Sequence, residues 1–327
     1  MTRVAAVDCG TNSIRLLIAD SDVDGAAPRL KDIVREMRVV RLGQGVDSTG
    51  ELAPEALDRT FAAAADYAGQ IQHHGATKVR FVATSATRDA TNRQLFVDGI
   101  RELLGVEPEV ITGDEEAALS FAGASSVLPS RGADPVLVVD LGGGSTEFVL
   151  GNADGVIAAK SVDIGCVRMT ERHLRSDPPT AEQIAAAEAD VDAALDVAAR
   201  TVPLDRSAAV VGVAGSVTTI TAHALALPEY SAAAIHGTEL SLDAVRRACT
   251  ELSLDTVRRA CTELLAMTHA ERAALPYMHP GRVDVIGAGA LVWRRVLERL
   301  AEVTDHRVAS AVTSEHDILD GIALSIR

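Results

Sequence analysis

A chain of 327 residues with 47% apolar side chains can fill two packed cores, and disorder is excluded for the chain as a whole. Aromatics are only 3%, so those cores must be built from Ala, Val, Leu and Ile. A formal net charge of −15 argues against a broad nucleic-acid surface or an anionic membrane as partner, and requires any polyanionic substrate to be met by locally gathered cations. Lys31, Lys78 and Lys160 are the only lysines, which leaves Arg, suited to bidentate phosphate contacts, to carry most of the positive charge. Cys9, Cys166, Cys249 and Cys261 have no C-x-x-C spacing and read as reduced thiols. No signal sequence or membrane-length apolar run is recognisable, so the expected location is cytoplasmic.

Val4–Val7 and Ile14–Ile18 read as strands around the turn Asp8-Cys-Gly-Thr-Asn-Ser13. A third strand is expected over 33–42, a helix over 54–72, a strand over 79–83, a helix over 93–104 and a strand over 109–111, followed by a helix from 112. The second half repeats the plan. A hairpin over 136–150 precedes a strand over 158–164, helices over 167–174 and 180–200, and a strand over 208–213. Ala214 to Thr219 then open a helix. Val283–Ile286 is read as another strand, with a helix over 290–301, a strand over 308–312 and a last helix over 316–325. The class is therefore α/β, with domains 1–124 and 125–327, the last helix being free to pack back on the first domain.

Residues 239–250 recur as 251–262 with one difference, Ala244 against Thr256. Twelve residues rotate a helical stripe by about 120°, so both copies cannot bury the same face of one helix. The expectation is that one copy packs while the other overhangs or breaks, with Ser253 or Asp255 as a restart cap.

The chemistry concentrates in Asp140-Leu-Gly-Gly-Gly-Ser-Thr-Glu147. Gly142, Gly143 and Gly144 strip the backbone so that its N–H groups can approach an anion, with Ser145 beside them. Asp140 and Glu147 would repel phosphate unless a divalent cation sat between them. Setting Asp8 on Asp140 puts Gly10 on Gly142, Ser13 on Ser145 and Arg15 on Glu147. Two hairpins of one design imply two related domains whose loops face each other across a cleft, one bringing a guanidinium and the other a metal. Gly215 and Ser216 form a third strand-to-helix turn open to an anion or to ordinary capping. Arg88 follows a strand end, near an expected helix start where the dipole disfavours it. Glu115 and Glu116 open a helix behind Asp114; they serve the helix dipole, or one is a general base. Arg168 and Arg172 fit a helix edge near the site or the surface, and the surface is the favoured reading. The histidines lack zinc-ligand spacing, and no Walker or dinucleotide-binding glycine pattern is present.

In these residues the chain resembles the exopolyphosphatase and guanosine pentaphosphate phosphohydrolase family. The matching blocks are Asp8 to Ser13, Thr84-Ser-Ala-Thr-Arg88, Gly113-Asp-Glu-Glu-Ala117, Asp140 to Glu147, Gly212-Val-Ala-Gly-Ser216 and Pro280-Gly-Arg-Val-Asp-Val-Ile286. The resemblance implies two ribonuclease-H-like domains of the actin, sugar kinase and heat-shock ATPase superfamily, with an interdomain cleft as active site. It implies Mg²⁺-dependent hydrolysis of a terminal phosphoanhydride, in polyphosphate (short chains favoured) or guanosine pentaphosphate. Glu116 would be the catalytic base, Asp140 and Glu147 the metal ligands. Asn12, Ser13, Arg15, Arg88, Gly142 to Ser145, Gly215 and Ser216 would hold substrate phosphate. A homodimer is left open, and the alternatives are a non-hydrolytic sensor or a phosphotransferase. The family's C-terminal block usually ends Arg-Glu-Gly where this chain has Leu319-Asp320-Gly321, and the extra helical region of its long members is absent from this sequence.

Overall fold

The computed structural model describes residues 2–22, 29–125, 134–236 and 251–327. It divides into two compact units, Met1–Val127 with His316–Arg327, and Leu128–Glu315.

The first unit is a mixed five-stranded sheet in the order β3-β2-β1-β4-β5, formed by β1 (Thr2–Cys9), β2 (Ser13–Asp22), β3 (Arg29–Val39), β4 (Lys78–Ala83) and β5 (Glu109–Val110). β1, β2 and β3 pair antiparallel in succession, β4 joins parallel to β1, and β5 parallel to β4. Around it lie α1 (Val46–Thr49), α2 (Pro54–His74), α3 (Ser85–Asp89), α4 (Arg93–Leu104) and α5 (Gly113–Ser125). β1 is buried on both faces, which explains its unbroken apolar run. Ala5, Val7 and Cys9 join Tyr67, Phe81 and Phe96 on one side. Val4 and Ala6 meet Ile318, Leu319, Ile322 and Ala323 on the other.

The second unit holds β6 (Val136–Leu141), β7 (Thr146–Asn152), β8 (Gly155–Val162), β9 (Ala209–Val213), β10 (Glu251–Ser253) and β11 (Ser310–Thr313), in the order β10-β11-β9-β6-β7-β8. Its helices are α6 (Cys166–Arg172), α7 (Ala181–Ala199), α8 (Ala214–Ala224), α9 (Ala232–Ile235), α10 (Leu254–Ala266), α11 (His269–Ala273) and α12 (Ile286–Val303). Buried Trp293 on α12 fills the core among Val210, Val217 and Leu297.

Two readings of the sequence change here. Val283–Ile286 is not a strand: it is a turn leading into α12, which starts at Ile286. A short apolar run fits a strand or a buried helix start equally, and periodicity cannot separate them. In the duplicated segment the second copy opens as β10, antiparallel to β11, and becomes helix only from Leu254. A strand at the junction rules out one continuous helix through both copies. Leu254, Val257, Ala260 and Cys261 bury the second copy's apolar stripe, and α10 starts directly after Ser253. The first copy, 239–250, lies outside the described residues.

The last helix, α13 (Ile318–Ser325), completes the first unit. Its capping box joins Asp317 and Asp320, and buried Asp320 also accepts from Arg35 Nη2 (2.6 Å) and meets His316 Nδ1 (3.1 Å). The hydrogen bond to Asp320 raises the His316 pKa; burial and Arg35 oppose the rise. Because the folded value exceeds the usual imidazole value of about 6.5, this contact stabilises fully below that pH and fades as pH rises through the folded pKa. Thermal melts from pH 6 upward should therefore lose a component of stability that His316→Gln lacks throughout. Parallel wild-type and variant curves would refute this.

Candidate active site

In the first unit, the β1–β2 turn is closed by Gly10 N–H donating to the Ser13 carbonyl (2.9 Å). The Asn12 carbonyl accepts from the N–H groups of Val40 and Arg41, and Thr11 Oγ1 lies 2.8 Å from Ser85 Oγ, pinning the turn to the start of α3. Asp8 and Arg15 face each other across the hairpin. Arg15 donates from Nε (2.9 Å) and Nη2 (2.6 Å) to Asp8 Oδ2, and from Nη1 to Asp317 Oδ2. Burial lowers the Arg15 pKa, but Asp317 and Asp8 reverse that and hold it well above its ordinary value. Burial raises the Asp8 pKa, against the pull of Arg15. The guanidinium offered by the sequence as a phosphate ligand is thus already held between two carboxylates.

Arg88 stands in the last turn of α3, so the argument from a helix start does not apply to it. Its Nη1 donates to the Ile111 carbonyl (3.1 Å) and to Glu116 Oε2 (3.0 Å). The structure also separates the two glutamates. Glu115 Oε2 accepts from Thr112 N–H (2.9 Å) and Thr112 Oγ1 (3.1 Å), bonds that lower its pKa. Thr112 Oγ1 in turn accepts from Glu115 N–H, so Thr112 caps α5. Glu115 therefore serves the helix, while Glu116 is buried beside Arg88.

In the second unit the β6–β7 hairpin repeats the first one. Gly142 N–H donates to the Ser145 carbonyl (3.1 Å), and Asp140 faces Glu147 in the register where Asp8 faces Arg15. Cross-strand partners share a face of the sheet, so two carboxylates, 6% and 1% exposed, lie side by side. Ser161 Oγ donates to Glu147 Oε1 (2.7 Å). The loop carbonyls point at the start of α6: Gly142 O accepts from Cys166 N–H, Gly143 O from Val167 and Arg168 N–H, and Gly144 O from Gly165 N–H. Trans peptide planarity then turns the N–H groups of Gly143, Gly144 and Ser145 away from α6. That is the orientation an anion would need.

Gly215 and Ser216, at the start of α8, belong to the same unit. Ser216 packs where α12 passes closest: a Cβ on Gly289 would lie 2.7 Å from its Oγ and 3.4 Å from Cys166 Cβ. Parallel pairing sets Val213, the residue before α8, beside Asp140. The second unit thus gathers Asp140, Glu147, the glycine loop and the α8 turn around the start of α6. Among the described residues, no group of three or more His, Cys, Asp or Glu side chains could hold a metal ion. The Asp140–Glu147 pair fits Mg²⁺, which needs only one or two carboxylates and keeps several waters.

Residues 17–326 match the Ppx/GppA phosphatase family. The chain belongs to that family. It is 51% identical over 331 residues to exopolyphosphatase 2 of Mycobacterium tuberculosis, covering all of this chain and 99% of that protein. It is 37% identical over 194 residues to the guanosine-5'-triphosphate,3'-diphosphate pyrophosphatase of Photobacterium profundum, covering 59% of this chain and 36% of that one. The crystal structure of an exopolyphosphatase-like protein superposes with a TM-score of 0.90 at 49% identity, covering 99% of this chain and 97% of that one. Among the described residues of this Ppx/GppA chain, no helix is long and apolar enough to cross a membrane.

Arg282 and Gly165 escaped the sequence reading of this Ppx/GppA chain, and Arg168 takes the less favoured of its two readings. Arg168 was expected at the surface, but its Nε donates to the Gly144 carbonyl (2.7 Å) and its side chain is largely buried. Arg282, read as part of a turn, lays its guanidinium against Gly215, where a Cβ would lie 1.7 Å from Nη1, and also reaches Thr219 Oγ1 (3.3 Å). Gly165 lets α6 approach the loop, since a Cβ there would sit 2.2 Å from the Gly143 carbonyl. Only Gly165 left a signal, as the residue directly before an apolar helical stripe.

Proposed function

We propose that this protein hydrolyses terminal phosphoanhydride bonds, with short inorganic polyphosphate as first substrate and guanosine pentaphosphate as second. The observation that carries the reading is the buried Asp140–Glu147 pair beside a loop whose amides turn outward, in a chain that is similar over its whole length to an exopolyphosphatase. In the second unit the loop N–H groups of Gly143, Gly144 and Ser145 and the turn at Gly215–Ser216 offer donors to phosphate oxygens, and in the first unit the turn at Asn12–Ser13 does. Arg15 and Arg88 supply the positive charge. Glu116 accepts a proton from the attacking water as its oxygen bonds to phosphorus and the bridging P–O bond breaks. Asp140 and Glu147 would hold Mg²⁺, which supplies charge neutralisation at the phosphate oxygens.

The test is phosphate release from tripolyphosphate, longer polyphosphate and guanosine pentaphosphate, assayed side by side with Mg²⁺ and with chelator. Release from tripolyphosphate only with Mg²⁺ supports the reading. Calorimetric binding without release would make the chain a sensor, and transfer to an acceptor would make it a phosphotransferase. Asp140→Asn should cut release by at least about a hundredfold and raise the Mg²⁺ concentration needed for half-maximal rate. An unchanged Mg²⁺ titration would remove Asp140 from the metal site.

A further inference from the structure

Asp317 lies far from Arg15 in sequence, yet its two carboxylate oxygens do two different jobs. Oδ1 accepts from Leu319 N–H (3.0 Å) and caps α13. Oδ2 accepts from Arg15 Nη1. Asp8 grips the same guanidinium along the edge formed by Nε and Nη2. A guanidinium has five N–H donors in a rigid plane, and three are used here, which leaves two for a ligand. One carboxylate alone would let the plane pivot about its grip; a second, bonded to a different nitrogen, fixes both direction and tilt. Asp317 is itself held, because α13 packs tightly on α5: a Cβ on Gly123 would lie 1.8 Å from the Asp317 carbonyl oxygen.

We propose that Asp317 is a positioning residue, which fixes the Arg15 guanidinium so that its remaining two donors meet substrate phosphate. This rests on the reading of Arg15 as a phosphate ligand. The physical reason is entropic. A free Arg must lose substantial rotamer freedom when it takes up a ligand, and here the two acids have already imposed that order, so binding is stronger for the same contacts. Asp317 touches no reacting atom, and its effect passes through Arg15.

Two substitutions separate this role from capping. Asn and Ser are both good N-caps, so Asp317→Asn and Asp317→Ser keep the α13 cap and should melt alike, below wild type by the lost Arg15 contact. Asn can keep one oxygen on Leu319 N–H but then turns an amide N–H toward Arg15, and the Ser hydroxyl is too short to serve both partners. Both should raise KM for tripolyphosphate about tenfold, the cost of losing one charge-assisted hydrogen bond, with kcat changed less than about threefold. Adding Asp317→Asn to Arg15→Lys, which loses the fork geometry anyway, should cost little more. Unchanged KM in both single variants, or an undiminished Asp317→Asn effect in the Arg15→Lys background, would overturn the proposal. Where the wild type binds tripolyphosphate without hydrolysing it, the same comparison is made on calorimetric affinity. Absence of turnover then counts against the hydrolase reading alone, while wild-type affinity in Asp317→Asn counts against positioning. A wild type that neither binds nor hydrolyses tripolyphosphate overturns both.

Discussion

Glu116→Gln is expected to fold and melt like the wild type and to lose phosphate release by about 10²- to 10⁴-fold, the range of general-base contributions. Gln keeps the side chain's size and retains an oxygen for Arg88, so the bond now made by Glu116 Oε2 can survive. What it cannot do is accept a proton from water at useful strength. The same logic makes Glu115→Gln a control. Glu115 is exposed and bonds Thr112 at the helix start, so that change should cost a few tenths of a kcal/mol and leave turnover intact. Steady-state release from tripolyphosphate, with melting curves for both variants, decides it. Substantial activity in Glu116→Gln would reassign the base.

Gly123→Ala and Gly321→Ala should be among the most damaging single-methyl additions in the first unit. A Cβ on Gly123 would sit 1.8 Å from the Asp317 carbonyl oxygen, and one on Gly321 would sit 2.0 Å from the Leu119 carbonyl oxygen. Both obstacles are backbone, so α5 and α13 must separate rather than rotate a side chain aside. Overpacking of this kind costs about 3 kcal/mol. Separation also draws Asp317 from Arg15 and shifts the helix that carries Glu116, so activity should fall further than stability alone accounts for. Gly69→Ala is the contrasting case: exposed on α2, its new methyl meets nothing within 4 Å. There the better helix propensity should stabilise by about 0.8–1 kcal/mol. Chemical denaturation of the three variants tests the ordering, and equal midpoints would refute the packing argument.

The hairpins were readable because two local signals coincide in each, apolar strands and a small-residue turn. The registers Asp8 with Arg15 and Asp140 with Glu147 then follow from turn length. Glycine at 142–144 likewise announced a loop that approaches something closely. Local signals fail where a residue's partner is distant. Nothing near Arg15 in sequence points to Asp317, and nothing near Arg282 points to Gly215. Val283–Ile286 misled because three apolar residues around Asp284 suit a strand or the approach to a buried helix, and the chain turns there and enters α12 at Ile286. Arg168 misled because a long cationic side chain on a helix is usually solvated, whereas here the loop carbonyl of Gly144 draws it inward.

The return of His316–Arg327 to the first unit has a consequence for biosynthesis. Arg15 and Arg35 leave the ribosome 302 and 285 residues ahead of Asp317 and Asp320. Until those acids emerge, two nascent guanidinium groups wait without them, and the apolar face formed by Val4, Ala6 and Leu17 stays uncovered by α13. Synthesis of α13, rather than completion of residues 1–127, is the event that lets this unit close. A stalled or prematurely terminated product would therefore present a sticky, half-built sheet to the cell's chaperones and proteases.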